Sequence, residues 1–189
     1  MKDAHSPRSQ TGHADAATGA AHDRLSALPP VIRADTRAVV LGSFPGAASL
    51  QAQQYYAHPR NQFWPILGTL LGEPLPELPY AERLRTLLEH RVGLWDVYAS
   101  CRRKGSLDTA IRDAVPNELD QLRAWAPDLR LVLHNGAESA RRIREVEALE
   151  LAAIRLPSTS PANARLSLEA KLCLWREALV RAGVLLAET

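Results

Sequence analysis

The stretch "GSFPGAASLQAQQYYAHPRNQFW", residues 42–64, gathers more potential chemistry than any other part of the chain. Of four Tyr, four Trp and two Phe in the protein, five lie in this window, so it is either a knot of core or the wall of a pocket. A tyrosine beside a loop-built pocket can stack on the flat face of a nucleobase, worth roughly 1 to 3 kcal/mol per base. Tyr55 and Tyr56 are the rings placed to do so, and either can instead sit in the core with its hydroxyl at the surface. Asn61 directly precedes a helical period, where asparagine is among the best N-caps. Its carboxamide oxygen can also hold a water molecule aimed at an electrophilic carbon. Two roles compete for one group, and the residues alone leave both open.

Other polar residues stand where loops open. Asp96 ends the apolar run "GLWDV", where a carboxylate is costly unless a donor reaches it, from the loop backbone or from a ligand N–H. Gly42, Ser43 and Phe44 begin "GSFPG", which is too short for a P-loop and lacks its lysine. Its glycines and proline fit a tight turn that presents backbone N–H groups to a ligand, or a plain strand-ending turn. Arg102, Arg103 and Lys104 are consecutive and suit phosphate contacts, although a solvated face explains most such runs. Ser158, Thr159, Ser160 and Asn163 lie in a loop stiffened by Pro157 and Pro161, with Arg165 adding charge. Short hydroxyls and amides there can donate to phosphate oxygens, or can serve an ordinary turn and helix cap.

These residues need elements to position them. Four runs, at 38–43, 93–97, 129–135 and 151–158, are apolar nearly throughout, the pattern of strands covered on both faces. Between them lie helical faces: Phe63, Ile66, Leu67, Leu70 and Leu71; Tyr80, Leu84, Leu87 and Leu88; Leu119, Leu122 and Trp125. A last helix presents Leu168, Leu172, Trp175 and Leu179, with Ser167 as its N-cap. The alternation predicts an α/β fold, a three-layer α/β/α sandwich on a central, mostly parallel four-stranded sheet. In such sheets ligands bind beyond the carboxyl ends of the strands, which selects the loops opening at Gly42, Asp96, Asn135 and Pro157.

The 189 residues, 46% of them hydrophobic, suffice for one domain with a sizeable core. Residues 1–24 hold almost no large apolar side chain and read as a disordered tail, leaving 25–189 as the folded domain. No secretory signal and no membrane-length apolar run is visible, and Cys101 and Cys173 form neither a disulfide framework nor metal-ligand spacing. A cytoplasmic monomer is expected. The net charge of +2 is compatible with a polyanionic partner without requiring one.

Taken in order, "LGSFPG…QQYYAHPRNQFW", "GLWDV", "LVLHNG" and "LPSTSPANA" resemble the uracil-DNA glycosylase superfamily, and within it the hypoxanthine-DNA glycosylase branch, from about residue 37 to about residue 180. The resemblance implies a monofunctional base-excision enzyme that flips a deaminated base, most of all hypoxanthine, out of DNA and hydrolyses its N-glycosidic bond without metal or cofactor. Related branches carry a water-holding asparagine in the first motif where this chain has Phe44. The resemblance therefore transfers that role to Asn61. It gives base stacking to Tyr56 and base reading to Asp96, with Gly42, Ser43 and Phe44 lining the base pocket. Arg60, Arg102, Arg103, Lys104, Ser158, Thr159, Ser160, Pro161, Asn163 and Arg165, with Arg141 and Arg142, are the expected DNA contacts. Where relatives place a histidine on the departing uracil, this chain has Leu156, which argues against strong uracil excision by that route. Uracil or xanthine excision, a lesion-binding module without catalysis, and a hydrolase of free nucleosides are the alternatives.

Overall fold

An all-apolar strand must be covered on both faces, and Ala38–Gly42 is buried at every position, forming the centre of a parallel sheet in this computed structural model. The structure describes residues 24–187; apart from Arg24, the tail expected over residues 1–24 lies outside them. The strands are β1 (Arg24–Ser26), β2 (Ala38–Gly42), β3 (Val92–Asp96), β4 (Tyr98–Arg102), β5 (Arg112–Pro116), β6 (Leu131–Asn135) and β7 (Ala153–Leu156). The helices are α1 (Ala47–Ala52), α2 (Phe63–Leu71), α3 (Tyr80–Glu89), α4 (Gln121–Trp125), α5 (Ile143–Ala148) and α6 (Leu168–Arg181), with short 3₁₀ turns between some of them.

The four expected strands form one parallel sheet in the order β3-β2-β6-β7. Alternate side chains serve opposite layers. Ala38, Val40, Leu94 and Leu133 join a core with Phe63, Ile66, Leu87, Trp175 and Leu179 from α2, α3 and α6. Val39, Leu41, Trp95 and Val132 join a second core with Leu122 and Val146 from α4 and α5. The chain leaves β2 first for β3 and later for β6, on opposite sides, which makes the carboxyl end of β2 a topological switch point. Register sets Gly42 against Asp96 and Asn135 against Leu156, so the strands end at one level.

Two features depart from the sequence reading. The segment after Asp96 is not wholly loop: Tyr98–Arg102 is a strand between β1 and β5 in a separate antiparallel sheet. It is short, carries no alternating pattern and takes one of its two partners, β1, from far away in sequence, so local periodicity cannot reveal it. Helix α6 packs by its expected face at Leu172, Trp175 and Leu179 but departs from it in its first turn. Ser167 does cap it, accepting from Ala170 N–H at 3.2 Å, and Trp175 and Leu179 are buried. Leu168, however, is 41% exposed, while Lys171 is only 1% exposed.

Candidate active site

Gly42 and Asp96 set the floor of the site. A Cβ at Gly42 would lie 2.3 Å from Asp96 Oδ1 and 3.4 Å from Tyr56 Oη, so the first of these contacts requires glycine for the carboxylate to sit above the end of β2. Asp96 is 3% exposed and its Oδ2 has no hydrogen-bond partner among the described residues. Its backbone carbonyl is held by Asn117 Nδ2 at 2.8 Å, which fixes the strand end without satisfying the side chain. Burial pushes the carboxyl up to about 7, with the Asp108 charge adding to the rise and Arg103 opposing it. A buried acceptor with no protein donor, at the carboxyl end of a central strand, is the arrangement that favours a ligand N–H.

The two tyrosines divide the open question between them. Tyr55 belongs to the core: its ring is buried and its hydroxyl donates to Pro29 O at 3.0 Å, while its own carbonyl accepts from Trp64 Nε1 at 3.1 Å. Tyr56 turns the other way because its backbone takes φ +55°, a left-handed conformation that a bulky residue adopts only under constraint. Its ring stacks on Phe63, with centroids 3.9 Å apart and planes 22° from parallel. Its buried hydroxyl has no hydrogen-bond partner among the described residues, with Asn135 nearby but outside bonding geometry. Burial, reinforced by Asp96, pushes the phenol well above its usual range.

Asn61 satisfies the first amide of α2 from one position before the N-cap. Its Oδ1 accepts from Phe63 N–H at 2.9 Å, one residue ahead of the expected position, since Gln62 is the capping residue of α2 by backbone geometry. The amide N–H of Asn61 donates to His58 O at 2.8 Å, and Gln62 N–H to Thr159 O at 2.9 Å. A carboxamide oxygen has two lone pairs, so capping occupies one and leaves one to accept from water. The side chain is half-buried and bonds the backbone of Phe63, whose ring carries the Tyr56 stack.

Phe44 contributes no polar group. It is 5% exposed and part of the α4/α5-side core, with the Arg103 guanidinium 5.1 Å above its ring. Arg103 also donates to Pro45 O. Ser106 Oγ accepts from Ala47 N–H at 2.9 Å, and Ser43 Oγ donates to Asp108 Oδ1 at 2.6 Å. The segment 103–108 thus straps the "GSFPG" turn from outside, and Arg103 is committed to that strap. Arg102 pairs with Asp113 at 3.5 Å on the antiparallel sheet. Lys104, Arg60, Pro161 and Arg165 are exposed. Arg141 and Arg142 pair with Glu138 and Glu145 one turn away in sequence.

The loop after β7 holds itself together. Thr159 has no exposed surface: Asn135 Nδ2 donates to its Oγ1 and its N–H donates to Asn135 Oδ1, both at 3.0 Å. This corrects its expected role, because a residue sealed inside the loop braces it and does not reach DNA. Asn163 Nδ2 donates to Ser158 O at 3.1 Å, and Ser160 stays half-buried at the rim. Leu156 is buried in the core, so no polar side chain comes from that position. Asp108 and Lys171 carry no expectation from the sequence, and Asn135 only that a loop opens there. A strand-ending "HN" before Gly136 was the one available signal for Asn135; no pattern marks the other two.

Comparison with known proteins gives a consistent picture. The model of the Uracil DNA glycosylase superfamily matches residues 29–180. A protein of Methanosarcina barkeri (strain Fusaro / DSM 804) named "Hypoxanthine DNA glycosylase" is 41% identical over 154 residues, covering 82% of this chain and 97% of that protein. A protein of the same name from Methanosarcina acetivorans is 37% identical over 140 residues, covering 74% of this chain and 89% of its own. The solution NMR structure of a Methanosarcina acetivorans protein, named as a candidate uracil DNA glycosylase, superposes with a TM-score of 0.77 at 34% identity, covering 85% of this chain and 98% of that one.

Proposed function

The chain belongs to the Uracil DNA glycosylase superfamily, and on that premise we propose that it hydrolyses the N-glycosidic bond of a deaminated base in DNA, hypoxanthine above all. The observation that carries this reading is the buried Asp96 Oδ2, without a hydrogen-bond partner among the described residues, with the Tyr56 hydroxyl also placed over Gly42. A flipped purine slides against the Tyr56–Phe63 stack and delivers its N1–H to Asp96. Uracil N3–H meets the same acceptor, but the apolar Leu156 offers a departing uracil no cation.

Hydrolysis forms a bond from the water oxygen to C1′ as the C1′–N9 bond breaks and its electron pair leaves with the purine. The water proton passes to solvent or to the departing base. Asn61 orients the water with the lone pair left over from capping; an amide is a weak base, so orientation is its contribution. Backbone N–H groups of the "GSFPG" turn, braced by the 103–108 strap, stabilise the leaving anion. Lys104, Arg60, Arg165, Ser158, Ser160, Pro161 and Asn163 meet the DNA backbone. The lesion pairs weakly with its opposite base, so flipping it costs less than flipping a normal base. The enzyme acts as a cytoplasmic monomer; no helix among the described residues is long and apolar enough to cross a membrane.

The test is a panel of labelled duplexes carrying inosine, uracil or xanthine, with wild type and Asn61→Ala side by side. Asn61→Ala is expected to slow hypoxanthine release on the order of 100-fold or more while duplex binding persists. Loss of the cap costs about 1 kcal/mol, so a melting curve distinguishes inactivity from unfolding. An active, folded Asn61→Ala enzyme refutes the assignment of the water.

A further inference from the structure

Lys171 lies in the first third of α6 and is sealed from solvent, 1% exposed, with no carboxylate pairing it among the described residues. A buried ammonium is costly, and burial pushes its pKa down. Its hydrogen bonds go to neutral oxygens: Nζ donates to Gln62 Oε1 at 2.7 Å and to Asn163 O at 3.0 Å. These two acceptors lie in different parts of the candidate site. Gln62 follows Asn61 directly and opens α2. Asn163 closes the loop that begins at Ser158.

The contacts around this ammonium form a closed circuit. Asn163 Nδ2 holds Ser158 O, Thr159 O accepts from Gln62 N–H, and Gln62 Oε1 returns to Lys171. An apolar residue of the same length would fill the space between α6 and the loop and would avoid the desolvation of a charge. The Gln62 N–H to Thr159 O bond already joins the loop to the start of α2, and a donor at 171 adds a side-chain bridge from Gln62 to Asn163 at the far end of the loop. Resting on the reading that Asn61 orients the water, we propose that Lys171 is a positioning residue that couples the 158–163 loop to Asn61, so that a DNA backbone seated on the loop sets the geometry of the water. The buried charge adds to this coupling, because a phosphate on the loop brings an anion toward an ammonium held only by neutral oxygens among the described residues, and each side then favours the other's seated position.

Hydrogen exchange on the full chain tests it, using duplex with a tetrahydrofuran abasic analogue as the probe. In wild type the duplex is expected to protect both the 158–163 loop and the amides of residues 61–63. Lys171→Met is expected to keep protection at the loop and lose it at 61–63, with single-turnover release of hypoxanthine slowed on the order of 10- to 100-fold and duplex binding within a few-fold of wild type. Lys171→Arg should restore part of both. Gln62→Leu cuts the link from the other side while sparing the Asn163 contact, and serves if Lys171→Met does not fold. The proposal is overturned if either folded variant keeps the wild-type rate, or still protects 61–63 on binding. Should wild type couple the two segments yet release no base from any lesion duplex, the glycosylase reading fails and the coupling stands. A duplex that protects neither segment overturns both.

Discussion

Replacing Asp96 with asparagine should stabilise the protein at alkaline pH. The Asp96 carboxyl rises from the ordinary 3.8 to about 7 on folding, because burial penalises its charged form and Asp108 adds repulsion. A raised pKa favours the folded state while the group is protonated. That contribution is complete below pH 3.8 and is lost as pH rises through about 7. The full difference corresponds to about 4 kcal/mol. Asparagine has the same shape and nothing to ionise, although its amide N–H₂ meets no acceptor in that site and takes back roughly 1 to 3 kcal/mol. Asp96→Asn is therefore expected to exceed wild type by about 1 to 3 kcal/mol at pH 8, and to match or fall below it at pH 5. For a domain of this size each kcal/mol moves Tm by about 2 to 4 °C, within reach of urea and thermal melts followed by tryptophan fluorescence. A stability difference independent of pH, or a wild type more stable at pH 8, would show that the carboxyl has a donor and that no acceptor awaits a ligand. The same variant tests the ligand: wild type should gain preference for inosine-containing over control duplex between pH 6 and pH 8, and Asp96→Asn should lose that pH dependence.

Gly42→Ala places a methyl 2.3 Å from Asp96 Oδ1, and displacing the carboxylate should cost about 1 to 3 kcal/mol and most of the excision rate, read by melting and by the inosine assay. His134 is fully buried with Nδ1 on Ser139 Oγ at 2.9 Å, and burial lowers its pKa to about 4. Its stabilising contribution is present above pH 6.5 and is lost as pH falls to about 4, up to about 3 kcal/mol. Because Asp96 works in the opposite direction over much of that range, the acid loss should appear most clearly in Asp96→Asn. Lys104→Ala and Arg165→Ala should each weaken duplex binding uniformly across sequences and reduce the salt slope by about 1, measured by titration at several ionic strengths. Arg103→Ala should instead loosen the "GSFPG" turn and slow release beyond any loss of binding, since its guanidinium lies on Phe44 and Pro45 O.

The four sheet strands could be read from the sequence because burial on both faces leaves an all-apolar run, and the order of the loops between them followed from chain order. The sequence also marked Gly42 and Asp96, which end two such runs, as residues to watch, and the resemblance added Tyr56 and Asn61 from the loop before α2. Residue type and spacing left Tyr55 and Tyr56 open and only the resemblance picked Tyr56; what separates the two in space is a left-handed φ at Tyr56. The sequence could not foresee that Arg103 braces a turn or that Thr159 is sealed in, because both facts depend on partners 24 to 58 residues away. Lys171 was hidden for the same reason. Local spacing fixes which way a helix or strand is amphipathic, but the burial of a charged side chain is decided by which distant oxygens the fold brings to it, and only packing of α6 against the start of α2 and the 158–163 loop supplied those.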